Sequence, residues 1–246
     1  PSEPPPNIQA LEGFKSGKFE IQDEGSQVVC WLAGAQPGAT VVDYCAGGGG
    51  KTLGLAQAMK GQGRLTASDV VNKRLENIRP RLQRAGVEAD LVLIGQNGGG
   101  LEALNGQADL VFVDAPCSGS GTWRRRPEDA WRLTADEVEK LHAVQVRILS
   151  QATKLVKPGG RLVYVTCSML ARENEASADE LSAMDVVMLG RLPHQPWLAA
   201  PSNADRMAVE QALRATQAWD WRERPLGALS GGERQRVLLA RLLAVD

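Results

Sequence analysis

No apolar run in the chain reaches the length of about 18 residues that a bilayer-spanning helix needs, and no secretory leader opens it. Cysteine is scarce. The four present, Cys30, Cys45, Cys117 and Cys167, form no CxxC pair, which excludes a zinc site or disulfide framework of ordinary spacing and fits a reducing cytosol. An excess of either charge is also missing: the formal net charge is -1. A domain that holds nucleic acid by general electrostatic attraction is therefore excluded, and any RNA contact has to be local. There is no initiator methionine, and the abrupt PSEPPP opening reads as an interior piece of something longer, with Pro1 to Pro6 an extended, poorly ordered linker. Lysine is absent after Lys157, and after Glu175 strand-forming alternation disappears as well.

What is there, from Thr40 to Thr166, is an alternation of short β-branched runs with longer amphipathic stretches, the pattern of βαβ units and a doubly wound, mostly parallel α/β sheet. Strands are expected at Thr40 to Tyr44, Arg64 to Asp69, Asp90 to Ile94, Asp109 to Asp114 and Arg161 to Thr166. A helix is expected over Asn72 to Ala85, stopped by Gly86 and kinked or cut short at Pro80. Another follows Thr134, which has capping-box spacing to Glu137, and it closes at Lys154, Lys157, Pro158 and Gly159. The tail reads as helical over Asp205 to Gln217 and over Glu233 to Leu243, the latter capped by Ser230.

The stretch VVDYCAGGGGKTLGLAQAM is a strand, a tight glycine loop and a helix, a layout that presents backbone N-H groups to a nucleotide-like ligand. A phosphate-binding loop requires glycine five positions before Gly50, and Cys45 stands there, which counts against a triphosphate. Asp69 ends the next strand 22 residues after Gly47, where an acid takes the two ribose hydroxyls of an adenosine or serves as a helix N-terminal cap. Cys117 and Cys167 each follow the carboxyl end of an expected strand, the sheet edge at which ligands bind.

Taken together, DYCAGGGGKT, DAPCSGSGTWRRRPE and TCSMLARENE, preceded by QDEGSQ, resemble the Sun/RsmB-type RNA 5-methylcytosine methyltransferases over about Leu11 to Glu175. The resemblance implies a Rossmann-like fold and S-adenosylmethionine as methyl donor, held by Cys45, Ala46, Gly47, Gly48, Gly49, Gly50 and Lys51. Asp69 would take the ribose and Arg74 would support that pocket. Gln96 stands where the family carries an acid against the adenine, and Asp114 lies between cofactor and cytosine. Cys167 is implied as the nucleophile, Cys117 as the thiol that helps release product, and Lys51 as a cation near the site. The substrate implied is RNA, with a single-stranded or flipped-out cytosine. Trp123 beside Arg124, Arg125 and Arg126 would contact it by stacking and charge. No metal is implied. The family's closing helix and antiparallel strand pair are not found in the sequence, so the sheet is expected to be truncated there.

From about Leu181 onward, and above all in LSGGERQRVLLARLLA, the chain is similar to the signature region of ABC-transporter ATPases of the metal-chelate or haem importer type. In that family Ser230, Gly231 and Gly232 would face a partner subunit's triphosphate. The expected layout is a linker at 1–10, a methyltransferase domain at 11–177 and a helical fragment at 178–246, joined between Glu175 and Leu181. An ATP-binding importer fragment and an inactive chimeric remnant stand as alternatives to an RNA methyltransferase.

Overall fold

A computed structural model of the chain describes residues 7–95, 98–174, 182–188 and 202–244. Pro1 to Pro6, Gln96 and the expected junction between Glu175 and Leu181 lie outside the described residues. Thr40–Asp43 (β1), Arg64–Asp69 (β2), Asp90–Leu93 (β3), Ala108–Asp114 (β4) and Val156–Val165 (β5) form a five-stranded sheet in the order β3-β2-β1-β4-β5. The registered pairs β1 with β2, β2 with β3 and β4 with β5 are all parallel, as the alternating pattern predicts. The chain divides into two compact units, 1–100 and 101–246.

In the first unit, α1 (Glu12–Lys15) and α2 (Glu24–Ala33) precede β1. α3 (Gly50–Met59) then leads to β2, and α4 (Asn72–Ala85) leads on to β3. On α4 the buried residues Leu75, Ile78 and Leu82 recur at helical spacing and pack with Leu53 and Ala67. The expected early break at Pro80 does not occur, and the helix runs on to Ala85. Pro80 lies on the exposed side, where the carbonyl deprived of its N-H partner can face water. Gly86, at φ 64°, ends the helix in the left-handed conformation that a side chain would resist.

In the second unit, Val111, Phe112 and Val113 of β4 are fully buried, which accounts for a continuous apolar run in place of strict alternation. β5 begins at Val156, five residues before the expected Arg161, because the chain bulges between the pairs Ala108 with Val156 and Leu110 with Arg161. A Cβ on Gly160 would stand 2.7 Å from the Ala108 carbonyl oxygen, so the bulge needs a glycine. Between the strands lie α5 (Pro127–Arg132) and α6 (Ala135–Ala152). α6 opens with the expected capping box: the Thr134 hydroxyl accepts from Glu137 N at 3.2 Å, and Glu137 Oε2 accepts from Thr134 N at 2.8 Å.

Also in this unit, α7 (Ala183–Met188), α8 (Asn203–Ala215) and α9 (Gly231–Leu243) gather Val187, Val209, Leu213, Val237 and Ala240 into a hydrophobic cluster of their own. The two expected tail helices are present with shifted bounds. α8 starts earlier because Ser202 and Asp205 form a capping box, and α9 starts at Gly231 immediately after Ser230. Ser230 N donates to Glu233 Oε2 at 2.7 Å. Among the described residues no helix is long and apolar enough to cross a membrane, and no group of three or more His, Cys, Asp or Glu is gathered to hold a metal.

Candidate functional site

The first unit holds the glycine loop. β1 ends at Asp43, and Tyr44 to Gly49 turn the chain into α3; Gly50 and Lys51, expected in the loop, are instead the first turn of that helix. Gly47 and Gly49 adopt φ of 54° and 81°, which a side chain resists. A Cβ on Gly49 would meet Ile78 Cγ2 at 3.0 Å, so glycine lets the loop approach α4. Arg81 of α4 donates to the Gly48 carbonyl, and the Glu20 carboxylate bridges Arg81, at 3.3 Å, and Arg84. Burial works to raise the Glu20 pKa, but the Ile21 N-H and the two guanidinium groups outweigh it and hold the carboxyl below its ordinary range.

Asp69 is 3% exposed and is not the cap of α4, whose N-cap residue is Val71. Its Oδ2 accepts the Gly47 N-H at 3.0 Å, its Oδ1 accepts the Val71 N-H at 2.8 Å, and Arg74 lies 3.6 Å away. The loop, Asp69 and Arg74 are thus brought together. Sequence reading passed over Asp43. It is fully buried and accepts the Thr52 hydroxyl at 2.6 Å, tying the end of β1 to the first turn of α3. Its place as the first residue of DYCAGGGGKT is the available signal.

The second unit holds the cysteines. Asp114 ends β4, Cys117 follows on the next loop, and Cys167 follows β5. The two sulfur atoms are 3.3 Å apart, with Cys117 half-buried and Cys167 exposed. The hydrogen bond to Cys167 and, after it, burial push the Cys117 thiol far above its ordinary pKa, so Cys117 keeps its proton. The SGSG sequence explains the close approach. Gly119 is at φ 69°, and the Gly121 N-H donates to the Cys167 carbonyl at 2.9 Å, where a Cβ on Gly121 would itself be 2.9 Å from that oxygen.

Behind both cysteines lies Glu173, completely buried and unassigned by sequence reading. Its carboxylate accepts from Ser118 N at 2.8 Å, from the Ser118 hydroxyl, from Ser168 Oγ at 2.6 Å and from Gln145 Nε2 at 3.2 Å. Burial opposes ionisation of Glu173, but these donors prevail and its pKa is lowered. Trp123 is half-buried, and its indole N-H finds no hydrogen-bond partner among the described residues; Arg126 pairs with Asp129 at 3.1 Å. Arg124 and Arg125 are exposed. Trp131 on α5, also passed over, is 89% exposed. A cavity of about 430 Å³ nearby is lined by residues that include Ser118, Arg132 and Lys140.

Comparison with known proteins bears on the family and the fold. The family model described as 16S rRNA methyltransferase RsmB/F matches residues 29–220. Ribosomal RNA small subunit methyltransferase B of Xanthomonas campestris is 37% identical over 70% of this chain and 40% of its own length. The probable enzyme of that name from Bacillus subtilis is 36% identical over 68% of this chain and 38% of its own. Among solved structures, the methyltransferase homologue of Pyrococcus horikoshii superposes with a TM-score of 0.60 at 34% identity, covering 72% of this chain and 55% of that one. NSun6 of the same organism, solved with SFG, gives a TM-score of 0.60 at 29% identity, covering 70% and 44%. The chain spans about two-fifths of the length of the curated relatives it matches. With 29–220 matched by one family model and a Rossmann-like parallel sheet beneath the motifs, the chain belongs to the RsmB/F family of 16S rRNA methyltransferases.

Proposed function

We propose that this chain carries the methyl-transfer centre of an S-adenosylmethionine-dependent rRNA cytosine-5 methyltransferase with Cys167 as its nucleophile. The observation that supports this most is the Cys117 and Cys167 pair, 3.3 Å apart at the carboxyl ends of neighbouring parallel strands. The cofactor fits the glycine loop. A Cβ on Gly47 would meet nothing closer than the Cys45 carbonyl at 4.0 Å, so that edge of the loop is open, and Asp69 keeps lone-pair capacity for ribose hydroxyls. Cys45 to Lys51, Asp69, Arg74 and Gln96 are assigned to holding it. When bound, S-adenosylmethionine supplies an electrophilic methyl group on a sulfonium.

The protein's own steps follow from the two thiols. The Cys167 thiolate adds to carbon 6 of cytosine, and the displaced electron pair makes carbon 5 nucleophilic enough to take the methyl group. Cys167 is now a thioether, and the first cause of the high Cys117 pKa, the hydrogen bond to the Cys167 sulfur, weakens. Cys117 can then lose its proton to solvent, and the resulting Cys117 thiolate is the base that takes the carbon 5 proton. Loss of that proton restores the carbon 5 to carbon 6 double bond and expels the Cys167 thiolate. Asp114 and Lys51 are assigned to the same centre by their motif positions. A cytosine in a stacked duplex cannot reach an exposed thiol in a loop, so the target base is single-stranded or flipped out. Trp123, Arg124, Arg125 and Arg126 are assigned to the RNA, and four cysteines outside any disulfide suit a reducing cytosol.

Incubation of the chain with 16S rRNA and methyl-labelled S-adenosylmethionine tests the reading. Labelled 5-methylcytosine that disappears in Cys167→Ala supports it, and label on another atom or retained in that variant refutes it. For the tail we propose that the segment from near residue 178, which the RsmB/F match overlaps as far as residue 220, is similar to an ABC ATPase signature segment. Two features support this: among the described residues its hydrophobic cluster draws on buried residues from 183 to 244, and the Ser230 hydroxyl accepts the Glu233 N-H at 3.4 Å at the start of the following helix. Expression of 178–246 alone tests it, and an unfolded fragment refutes it.

A further inference from the structure

The two sulfur atoms sit on separate loops, and something has to set their spacing. The Cys117 loop runs from Pro116 to Gly121 and the Cys167 loop from Thr166 to Leu170. Three hydroxyls knit them: Ser118 Oγ lies 3.3 Å and Ser120 Oγ 3.0 Å from Ser168 Oγ, and Ser120 Oγ accepts the Met169 N-H at 2.8 Å. Among the described residues, Glu173 reaches both loops with one charged group. Its Oε1 takes Ser118 N and Gln145 Nε2, and its Oε2 takes the Ser118 and Ser168 hydroxyls. Gln145 also donates to the Pro116 carbonyl at 2.9 Å, and the Tyr164 hydroxyl donates to the Glu173 carbonyl at 2.8 Å, so the clamp is anchored to α6 and β5.

Every one of the four groups pointed at the carboxylate is a donor. A carboxylate offers about four acceptor sites and no proton, whereas an amide of the same shape offers one accepting oxygen and turns two N-H bonds toward donors. Burying an ion is costly unless it is bonded in this way, so such a group is expensive as mere filling. Its loop partners, moreover, are the immediate neighbours of the two cysteines, Ser118 after Cys117 and Ser168 after Cys167.

We infer that Glu173 is a positioning residue that holds Cys117 and Cys167 at reacting distance by clamping the serine that follows each. The link to turnover rests on the proposed cysteine chemistry; the clamp itself does not. Glu173 touches neither base nor cofactor in this scheme and acts only through the two loops.

The test compares parent and Glu173→Gln, first confirmed as folded by circular dichroism, in three readouts. One is the rate at which glutathione disulfide, itself reduced to glutathione, closes a Cys117 to Cys167 disulfide, followed by mass spectrometry. The second is the rate of Cys167 alkylation by iodoacetamide, and the third is kcat and KM for methyl transfer. The clamp predicts disulfide closure slowed about tenfold or more, alkylation within about twofold of the parent, and kcat lowered about a hundredfold at unchanged KM for RNA. Should Glu173→Gln not fold, Ser118→Ala with Ser168→Ala removes two donors and carries the same expectation. Closure at the parent rate in a folded variant overturns the inference, whatever happens to kcat. Slowed closure in a chain whose parent transfers no methyl group upholds the clamp and refutes the proposed reaction instead.

Discussion

The Oδ2 atom of Asp69 accepts the Gly47 N-H at 3.0 Å, while Oδ1 of the same carboxylate accepts the Val71 N-H at 2.8 Å. One buried acid therefore fixes the glycine loop and the entry to α4 together. Asp69→Asn keeps one accepting oxygen and loses the charge, and a hydrogen bond to a charged group contributes about 1.5–3 kcal/mol. S-adenosylmethionine affinity measured by calorimetry should fall at least about tenfold, with the far-ultraviolet circular dichroism unchanged.

Glycines of the loop should differ sharply in what they tolerate. Gly49→Ala forces a side chain onto a left-handed residue, costing about 1–2 kcal/mol, and presses its Cβ to 3.0 Å from Ile78 Cγ2. Gly48→Ala meets only the flexible end of Arg81, at 3.5 Å. Thermal denaturation should show a clear loss of Tm in the first variant and little change in the second.

A buried carboxylate with a lowered pKa makes stability depend on acid. For Glu173 the folded pKa lies below the unfolded one, so its contribution is fully present above the ordinary carboxylate range and is lost as pH falls through the folded value. Urea midpoints measured from about pH 7 down to about pH 3 should drop for the parent, and the part of that drop due to Glu173 should be missing in Glu173→Gln.

Trp131 and Trp123 should separate stability from RNA contact. Trp131 is 89% exposed, so its replacement by alanine should leave Tm almost unchanged. Trp123→Ala removes the proposed base-stacking contact and should weaken RNA binding by about 1–3 kcal/mol. Trp123 is half-buried, and Trp123→Ala should lower Tm as well. Filter binding of rRNA fragments beside thermal melts checks both.

Much of this was legible in the sequence, for identifiable reasons. The bounds of β2 are legible because Gly63 precedes it and Asp69, a poor strand former, ends it, and the α6 cap is legible because a capping box is local in sequence. The two cysteines were legible as strand-end residues. The start of β5 was not, because a bulge through Gly159 and Gly160 looks like a helix terminator when read locally. Pro80 misled because its cost depends on which side of α4 meets water, which only the tertiary packing decides. Glu173 was hidden for a related reason: its donors come from Ser118, Gln145 and Ser168, and two of these lie about 28 and 55 positions away.

The covalent adduct tests the central claim most directly. Cys117→Ala, mixed with 16S rRNA and S-adenosylmethionine and run on a denaturing gel, should accumulate a protein-RNA species that survives sodium dodecyl sulfate, maps to Cys167 by mass spectrometry and vanishes when Cys167→Ala is added. Normal turnover by Cys117→Ala with no trapped species, or methylation persisting in Cys167→Ala, would contradict it.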